Sequence, residues 1–414
     1  MNDYKTLEKI LRINDHTKYE DEYQKRYNSI SSIKFPLYIE NNSIQLFAQV
    51  SLDIMNKIVD IQKKLADIRL IKNKDFHNVF YSYYLNNLFV DELIASNEIE
   101  GVATTKKEID SAIEANIENK RDKKIVRFKF LVEKYNQLLN NEKFDLNSSQ
   151  NIRDLYDDLL NGEIPETDIP DGKIFRKGEV QVLKRDGKGT VVHKGVMPEN
   201  SIVMNMNALL NYLNDKNDNH NKIIKIAIAH YYFGYIHPFY DGNGRLNRFI
   251  SSYLINTYEN ELLAFKLSKI IKENIKEYDE AFKITNNILN KGEATFFIEM
   301  FINILWEAAS EIVDELGFFE SKLDIFCEYF NENNALSKEE VDVLFMMYQA
   351  YLCEVKIQKK ELVLSSELTD YSISKILKSL DEKSYINYEK RKKITINQNF
   401  INTIDNYIVQ RKTK

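Results

Sequence analysis

Three features of the sequence predict a mainly helical fold with a β-hairpin in its middle and a separate helical module at its C-terminal end. Glycine and proline, the main punctuators of regular structure, number only 12 and 5 in 414 residues. Apolar residues recur at helical spacing through several long segments. The stretch 173–195 differs: Val180, Val182 and Leu183 run into Arg185-Asp186-Gly187-Lys188-Gly189, and Val191 and Val192 run out. Two β-branched runs around Asp-Gly read as a hairpin, expected to be the main strand pair of a helical domain. At about 150 residues per domain the length suggests two or three domains.

Residues 1–100 read as helices joined by polar loops. His77–Glu100 carries Phe80, Tyr84, Leu88 and Leu93 at near-helical spacing and predicts one long helix. Gly101 is placed to end it. Thr105-x-x-Glu108 is a capping box for the next helix, which buries Ile109, Ala112, Ile113 and Ile117. From Lys222 to Tyr235, Ile223, Ala227, His230, Tyr231 and Gly234 make the stripe of a core helix, with His230 a satisfied core histidine. A loop from His237 to Asn243 follows, then a helix with Leu246, Phe249, Ile250, Tyr253 and Leu254 on one face. Arg245, Arg248 and Ser252 project from another arc. His193, at the hairpin edge, reads as a surface residue.

Toward the C-terminus, Ser337-x-x-Glu340 caps another helix. A short helix at 372–383 follows, then Ile386 and Tyr388, the basic tip Lys390-Arg391-Lys392-Lys393, and Ile394 and Ile396. Helices followed by a basic-tipped hairpin are the order of a winged helix-turn-helix. The boundaries predicted on these grounds are 1–135 for an N-terminal helical region, 136–290 for a core, 291–336 for connecting helices and 337–414 for the winged module.

Net charge is -6 and the pI about 5.7, which argues against a chain-wide nucleic-acid coat. The 337–414 module is mildly basic, with 14 Lys and Arg against 11 Asp and Glu. No apolar run approaches the roughly 18 residues of a membrane span, and the start of the chain lacks a signal-peptide layout. Cys327 and Cys353 make neither a disulfide framework nor a thiolate zinc site. A cytoplasmic, reducing location away from membranes is expected.

Unusual backbone is concentrated at 162–198, with six glycines and three prolines, and at 234–244, with three glycines and Pro238. The second stretch opens the string His237-Pro238-Phe239-Tyr240-Asp241-Gly242-Asn243-Gly244-Arg245-Leu246-Asn247-Arg248. Its glycines leave backbone N–H groups bare at a helix start, where orphan donors and the macrodipole favour an anion. Asn243 can add a donor, and Arg245 and Arg248 supply forked donors that suit phosphate oxygens. Asp241 is a hard oxygen ligand of the kind that holds Mg²⁺ beside phosphates. His237 can accept a hydroxyl proton at neutral pH. Base, metal ligand and phosphate cradle together specify phosphoryl or nucleotidyl transfer to an alcohol.

The string resembles the signature of the Fic (Fic/Doc) family, His-x-Phe-x-Asp/Glu-Gly-Asn-Gly-Arg-x-x-Arg, at every defined position. Phe233 and Ile236 upstream also sit as in the family, and the 173–195 hairpin looks like its target-binding flap. The resemblance covers roughly 80–260. It implies a protein adenylyltransferase that moves AMP from ATP to a Ser, Thr or Tyr hydroxyl of a target protein, with self-modification. By this resemblance His237 deprotonates the hydroxyl and Asp241 binds Mg²⁺. Gly242, Asn243 and Gly244 hold the α- and β-phosphates, Arg245 contacts the phosphate chain and Arg248 the γ-phosphate. Family members with Lys at the position of Gly244 act as kinases, so glycine there favours AMP transfer.

Ser96-Asn97-Glu98-Ile99-Glu100-Gly101 resembles the family's inhibitory motif, Ser/Thr-x-x-x-Glu-Gly/Asn. Ser96 and Glu100 lie on one helix face. The resemblance implies that Glu100 pairs with Arg248 and keeps it from the γ-phosphate, an intramolecular inhibition. Two other functions fit the sequence: removal of AMP, with Glu100 orienting a water, and DNA-binding regulation through the C-terminal module with the Fic domain sensing nucleotide. A winged helix can equally dock a protein or a second copy of the chain.

Overall fold

The computed structural model describes residues 4–13, 16–72, 78–117, 127–183, 189–366, 368–389 and 393–412. These residues form 18 α-helices and three two-stranded antiparallel sheets, the mainly helical fold expected. Among them, no helix is long and apolar enough to cross a membrane.

The elements that position the site are β1 (Ser32–Ile39), β2 (Ile44–Gln49), α1 (Asn78–Ile99), α2 (Lys106–Ile117) and α3 (Ser149–Leu159). They continue with β3 (Gln181–Leu183), β4 (Val191–Lys194), α4 (Lys222–Ile236) and α5 (Asn243–Tyr258). Further on come α6 (Thr295–Glu332), α7 (Lys338–Leu352), α8 (Lys359–Ser366), α9 (Asp370–Glu382), β5 (Ile386–Glu389), β6 (Lys393–Ile396) and α10 (Gln398–Lys412).

The chain divides into two compact units, one of residues 1–63 and 89–309, the other of 64–88 and 310–414. The division crosses α1 and α6.

In the first unit α4 is the central helix. Nearly all its side chains are buried, which is why its sequence reads as apolar on every face. Against it lies a strand pair that the sequence reading took for helix and loop. In β1, Phe35, Leu37 and Ile39 are buried and alternate with exposed Lys34, Pro36 and Tyr38, a period-two pattern. Pro36 sits where the register of β1 against β2 shifts, the place a strand tolerates a residue without an N–H. Glu40, Asn41 and Asn42 turn the chain with φ of 48°, 53° and 63°. The hairpin is fastened to α4 by the Tyr232 hydroxyl donating to Tyr38 O at 2.7 Å and Glu40 N donating to the Tyr235 hydroxyl at 2.9 Å. The 173–195 hairpin is therefore one of three strand pairs rather than the main one. It pairs β3 with β4 through Gln181–Lys194 and Val182–His193, and its turn, 184–188, lies outside the described residues.

In the second unit α7, α8 and α9 are followed by the β5–β6 hairpin and α10; α7, α9 and the hairpin come in the expected order, and α8 and α10 are additional to it. Ser337 and Glu340 form the reciprocal capping box at the start of α7, and Ile373, Ile376, Leu377 and Leu380 of α9 are buried. Residues 390–392 of the basic tip lie outside the described residues.

His230 of α4 is fully buried and bonded on both ring nitrogens, Nδ1 to the Ser251 hydroxyl and Nε2 to the Tyr278 hydroxyl, each at 2.7 Å. Ser251 spends its proton on Asn247 O, so Nδ1 carries the hydrogen and Nε2 accepts from Tyr278. Burial, with Arg248 adding repulsion, lowers its pKa to about 3. The unfolded chain binds this proton near pH 6.5 and the folded chain does not, so stability is full above pH 6.5 and is lost as pH falls toward 3. Urea unfolding at a series of pH values is expected to show this slope in the wild type and a slope smaller by up to one proton in His230→Leu.

Candidate active site

The site is built where α4 ends and α5 begins. His237 closes α4 in the left-handed conformation (φ 51°, ψ 62°), with its N–H donated to Phe233 O at 3.0 Å. This backbone turn swings the imidazole out of the helix and is costly for a residue with a Cβ. Gly242 precedes α5 with φ 76°, and a Cβ there would lie 2.3 Å from Leu160, so glycine is required twice over. Between them Asn243 stitches the loop: its Nδ2 donates to Phe239 O at 2.8 Å and its Oδ1 accepts from Phe239 N at 2.9 Å. The expected Asn243 side-chain donor is thus spent on the loop, which leaves backbone N–H groups to face an anion. Phe239 in turn stacks on Tyr156 of α3, centroids 3.7 Å apart and planes 6° apart. The Tyr156 hydroxyl donates to Asp241 O at 3.1 Å.

The charged groups of the string lie together. The Asp241 carboxylate accepts from Gly242 N at 2.5 Å and meets Arg245 Nη2 at 3.2 Å. Its side chain is 38% exposed, so it keeps lone pairs open to a ligand. Arg245 is buried, and among the described residues its Nε has no hydrogen-bond partner, an unmet donor of the kind an anion satisfies. The N–H groups of Asn243, Gly244 and Arg245 precede the first intrahelical bond, Leu246 N to Gly242 O, and are the orphan donors of the helix start.

Arg248 is 1% exposed, and its donors all go to the end of α1. Nε donates to Ser96 Oγ at 3.0 Å, Nη2 to Ser96 O at 2.6 Å and Nη1 to Glu100 Oε1 at 3.0 Å. The Glu100 carboxylate rests on the backbone of Gly244: a Cβ there would lie 2.0 Å from Glu100 Oε1. Gly101 follows with φ 76° and its N–H on Glu98 O, ending the helix as expected. The structure therefore brings Ser96, Glu100, Gly244 and Arg248 into one contact.

Two residues of this neighbourhood escaped the sequence reading. Glu92, fully buried one turn before Ser96, accepts from Ser252 Oγ at 3.4 Å and from Ser268 N at 2.6 Å and Oγ at 2.5 Å. Burial raises its pKa to about 7 against these bonds and the Arg248 charge. The i, i+4, i+8 spacing of Glu92, Ser96 and Glu100 was the signal available for it. Arg176, also fully buried, donates to three main-chain carbonyls around His237, and nothing local in the sequence marks it. His193 is a correction of another kind. It is half-buried, with Nε2 bonded to Tyr235 O at 2.7 Å, because the β3–β4 register turns it toward the end of α4 instead of solvent.

Burial lowers the His237 pKa to about 4, with His193 and Arg176 pushing the same way and Glu100 opposing. The imidazole is therefore neutral throughout the physiological range and has a lone pair to accept a proton. NMR titration of the His237 ring is expected to give a midpoint near 4 instead of 6.5. Glu100→Gln is expected to lower it further, because the variant removes the one nearby charge that favours the imidazolium. A midpoint at 6.5 would mean that the ring is not desolvated.

Residues 146–255 match the Fic/DOC family, a span that holds the whole string from His237 to Arg248. Among solved structures, a Fic family protein from Desulfovibrio desulfuricans is similar at 17% identity and a TM-score of 0.53, over 84% of this chain and 97% of that one. A Fic domain containing signaling protein from Bacteroides thetaiotaomicron aligns at 16% identity and a TM-score of 0.45, over 62% of this chain and 95% of that one. Fic-1 of C. elegans aligns at 17% identity and a TM-score of 0.41, over 64% and 74%. With this match and the fold held in common with the Desulfovibrio protein, the chain carries a Fic/DOC family domain at residues 146–255.

Proposed function

We propose that the protein is an adenylyltransferase that moves AMP from ATP to a hydroxyl side chain of a protein, itself included, and that its own Glu100 restrains the reaction. The observation that carries this reading is the place of the Glu100 carboxylate: bonded to Arg248 and laid against Gly244 at the start of α5. An anion of the protein's own is seated where the helix start and two arginines would receive a phosphate.

In this reading the triphosphate lies along the N–H groups of 243–245, and Arg245 uses its unmet Nε on a phosphate oxygen. Neutral His237 takes the proton from the attacking hydroxyl, whose oxygen bonds to the α-phosphorus as the bond to pyrophosphate breaks. Asp241 fits a divalent cation, being a partly exposed carboxylate at the edge of the cradle. Mg²⁺ there would neutralise phosphate charge. Arg248 can hold the γ-phosphate only by leaving Glu100. A competition between a charge-assisted ion pair and a phosphate contact is worth a few kcal/mol, on the order of a hundredfold in the competent population.

The test is incubation with labelled ATP and Mg²⁺, followed by mass spectrometry of the labelled protein. Glu100→Gly is expected to raise self-labelling by about a hundredfold. Arg248→Ala is not expected to mimic it, because it removes the phosphate contact together with the inhibitory pair. In the double variant the Glu100→Gly gain is expected to vanish, the non-additivity of two residues acting through one contact. A gain that persists without Arg248, or no gain at all, refutes the restraint. His237→Ala in the Glu100→Gly background is expected to cut labelling by about 10²–10⁴-fold with ATP binding retained. Retention of more than about a tenth of the rate removes His237 from the role of base.

A further inference from the structure

Arg176 lies at the start of the segment that carries β3 and β4, and it is a buried cation of an unusual kind. Its side chain is wholly inaccessible, and among the described residues no carboxylate forms an ion pair with it. Its donors go to main-chain carbonyls from three places in the chain: Nε to His237 O at 3.0 Å, Nη1 to Gly178 O at 2.6 Å and Nη2 to Val196 O at 3.0 Å. Gly178 is where the flap leaves and Val196 is where it returns. The third carbonyl belongs to His237, whose backbone is in the left-handed conformation.

Backbone bonds run alongside these. Arg176 N donates to Pro238 O at 3.3 Å, and Val196 N to Ile236 O at 3.1 Å. Gly178 N donates to the Tyr240 hydroxyl at 2.8 Å. A buried charge with no carboxylate in direct contact, Glu179 acting on it only from a distance, is expensive, and several hydrogen bonds to it are the least that makes it tolerable. A merely structural tie could be made by neutral groups. Only a planar guanidinium presents donors in three fixed directions at once, and lysine cannot. Space around it is full: a Cβ on Gly195 would lie 2.3 Å from Arg176 Nη2 and 3.1 Å from His237 Cβ.

We propose that Arg176 is a positioning residue for the transfer reaction: its guanidinium locks both ends of the 178–196 flap to the peptide of His237, and so fixes the distance between flap and imidazole. The inference rests on the transfer reading above. With the hydroxyl of the transfer reading presented on the flap, as the resemblance implies, it meets the base at a set separation, and misplacement by about 1 Å is enough to cost on the order of 10²-fold in rate. Burial lowers the guanidinium pKa to about 10, so the tie keeps its charge at neutral pH.

The test compares Arg176→Lys with its parent, both in the full chain carrying Glu100→Gly. Hydrogen exchange by mass spectrometry reads the two flap arms, and labelled ATP gives the rate constant and KM for self-modification. Exchange in both arms is expected to quicken at least tenfold. The rate constant is expected to fall about a hundredfold, with the KM for ATP within twofold, a split that general loss of structure would not give. Unchanged exchange overturns the tie whether or not the chain transfers AMP. Quicker exchange with an unchanged rate constant, or a KM that moves with it, overturns the positioning role. A parent that labels nothing defeats the transfer reading and with it the positioning role, while exchange still judges the tie. Should Arg176→Lys not fold, Gly195→Ala keeps the arginine and crowds its Nη2 arm off Val196, and the same results are expected from it.

Discussion

A guanidinium sealed from water must find acceptors inside the protein, and Arg248 sets that condition for the whole site. Desolvating an unpaired charge costs more than a domain's net stability allows. The end of α1 supplies the acceptors through Ser96 and Glu100, while Glu92, a further turn back, accepts from Ser252 and feels Arg248 only through its charge. The facing positions on α5 are Gly244, Arg248 and Ser252, also four apart. Two helices therefore meet along matched polar stripes, running in opposite directions: Glu100 against Gly244 and Arg248, Ser96 against Arg248, Glu92 against Ser252. In the proposed reaction a nucleotide phosphate is the other anion that meets the need of Arg248, so the pairing with Glu100 is the one it would have to replace.

The loop between α4 and α5 is preorganised by contacts that do no chemistry. Two left-handed residues, His237 and Gly242, bracket it, and the Asn243 amide closes it upon Phe239 from both directions. Tyr156 holds Phe239 by stacking and Asp241 by a hydrogen bond to its carbonyl. Donors fixed in advance have no reorganisation to undergo when charge develops, the main source of electrostatic catalysis. The rigidity comes from side chains outside the string as much as within it.

The parts of the fold and of the site that were legible in the sequence are those carried by contiguous residues or by helical spacing. The string from His237 to Arg248, the capping boxes at Thr105 and Ser337 and the Ser96–Glu100 pair all belong to this class. The β1–β2 hairpin was not legible because Pro36 interrupts a short alternating run and the turn, Glu40-Asn41-Asn42, contains no glycine. Arg176 was not legible for a deeper reason. Its partners are backbone carbonyls, which every residue has, and one of them lies 61 positions away. His193 looked exposed because a strand of four residues gives no face until its register is known. Glu92 shares the period of Ser96 and Glu100, but it sits in a helix so apolar that a charged residue reads as its outer face.

The missing side chain at position 244 ties together two properties that would otherwise be free to diverge. Any residue larger than glycine there would occupy the space of the Glu100 carboxylate. In the proposed reaction position 244, in the first turn of α5, would also face the nucleotide phosphates. On that reading a side chain gained at 244 would displace Glu100 and meet the nucleotide in the same step. Glycine at 244 would then make regulation and chemistry a single evolutionary character in this protein, inherited or lost together.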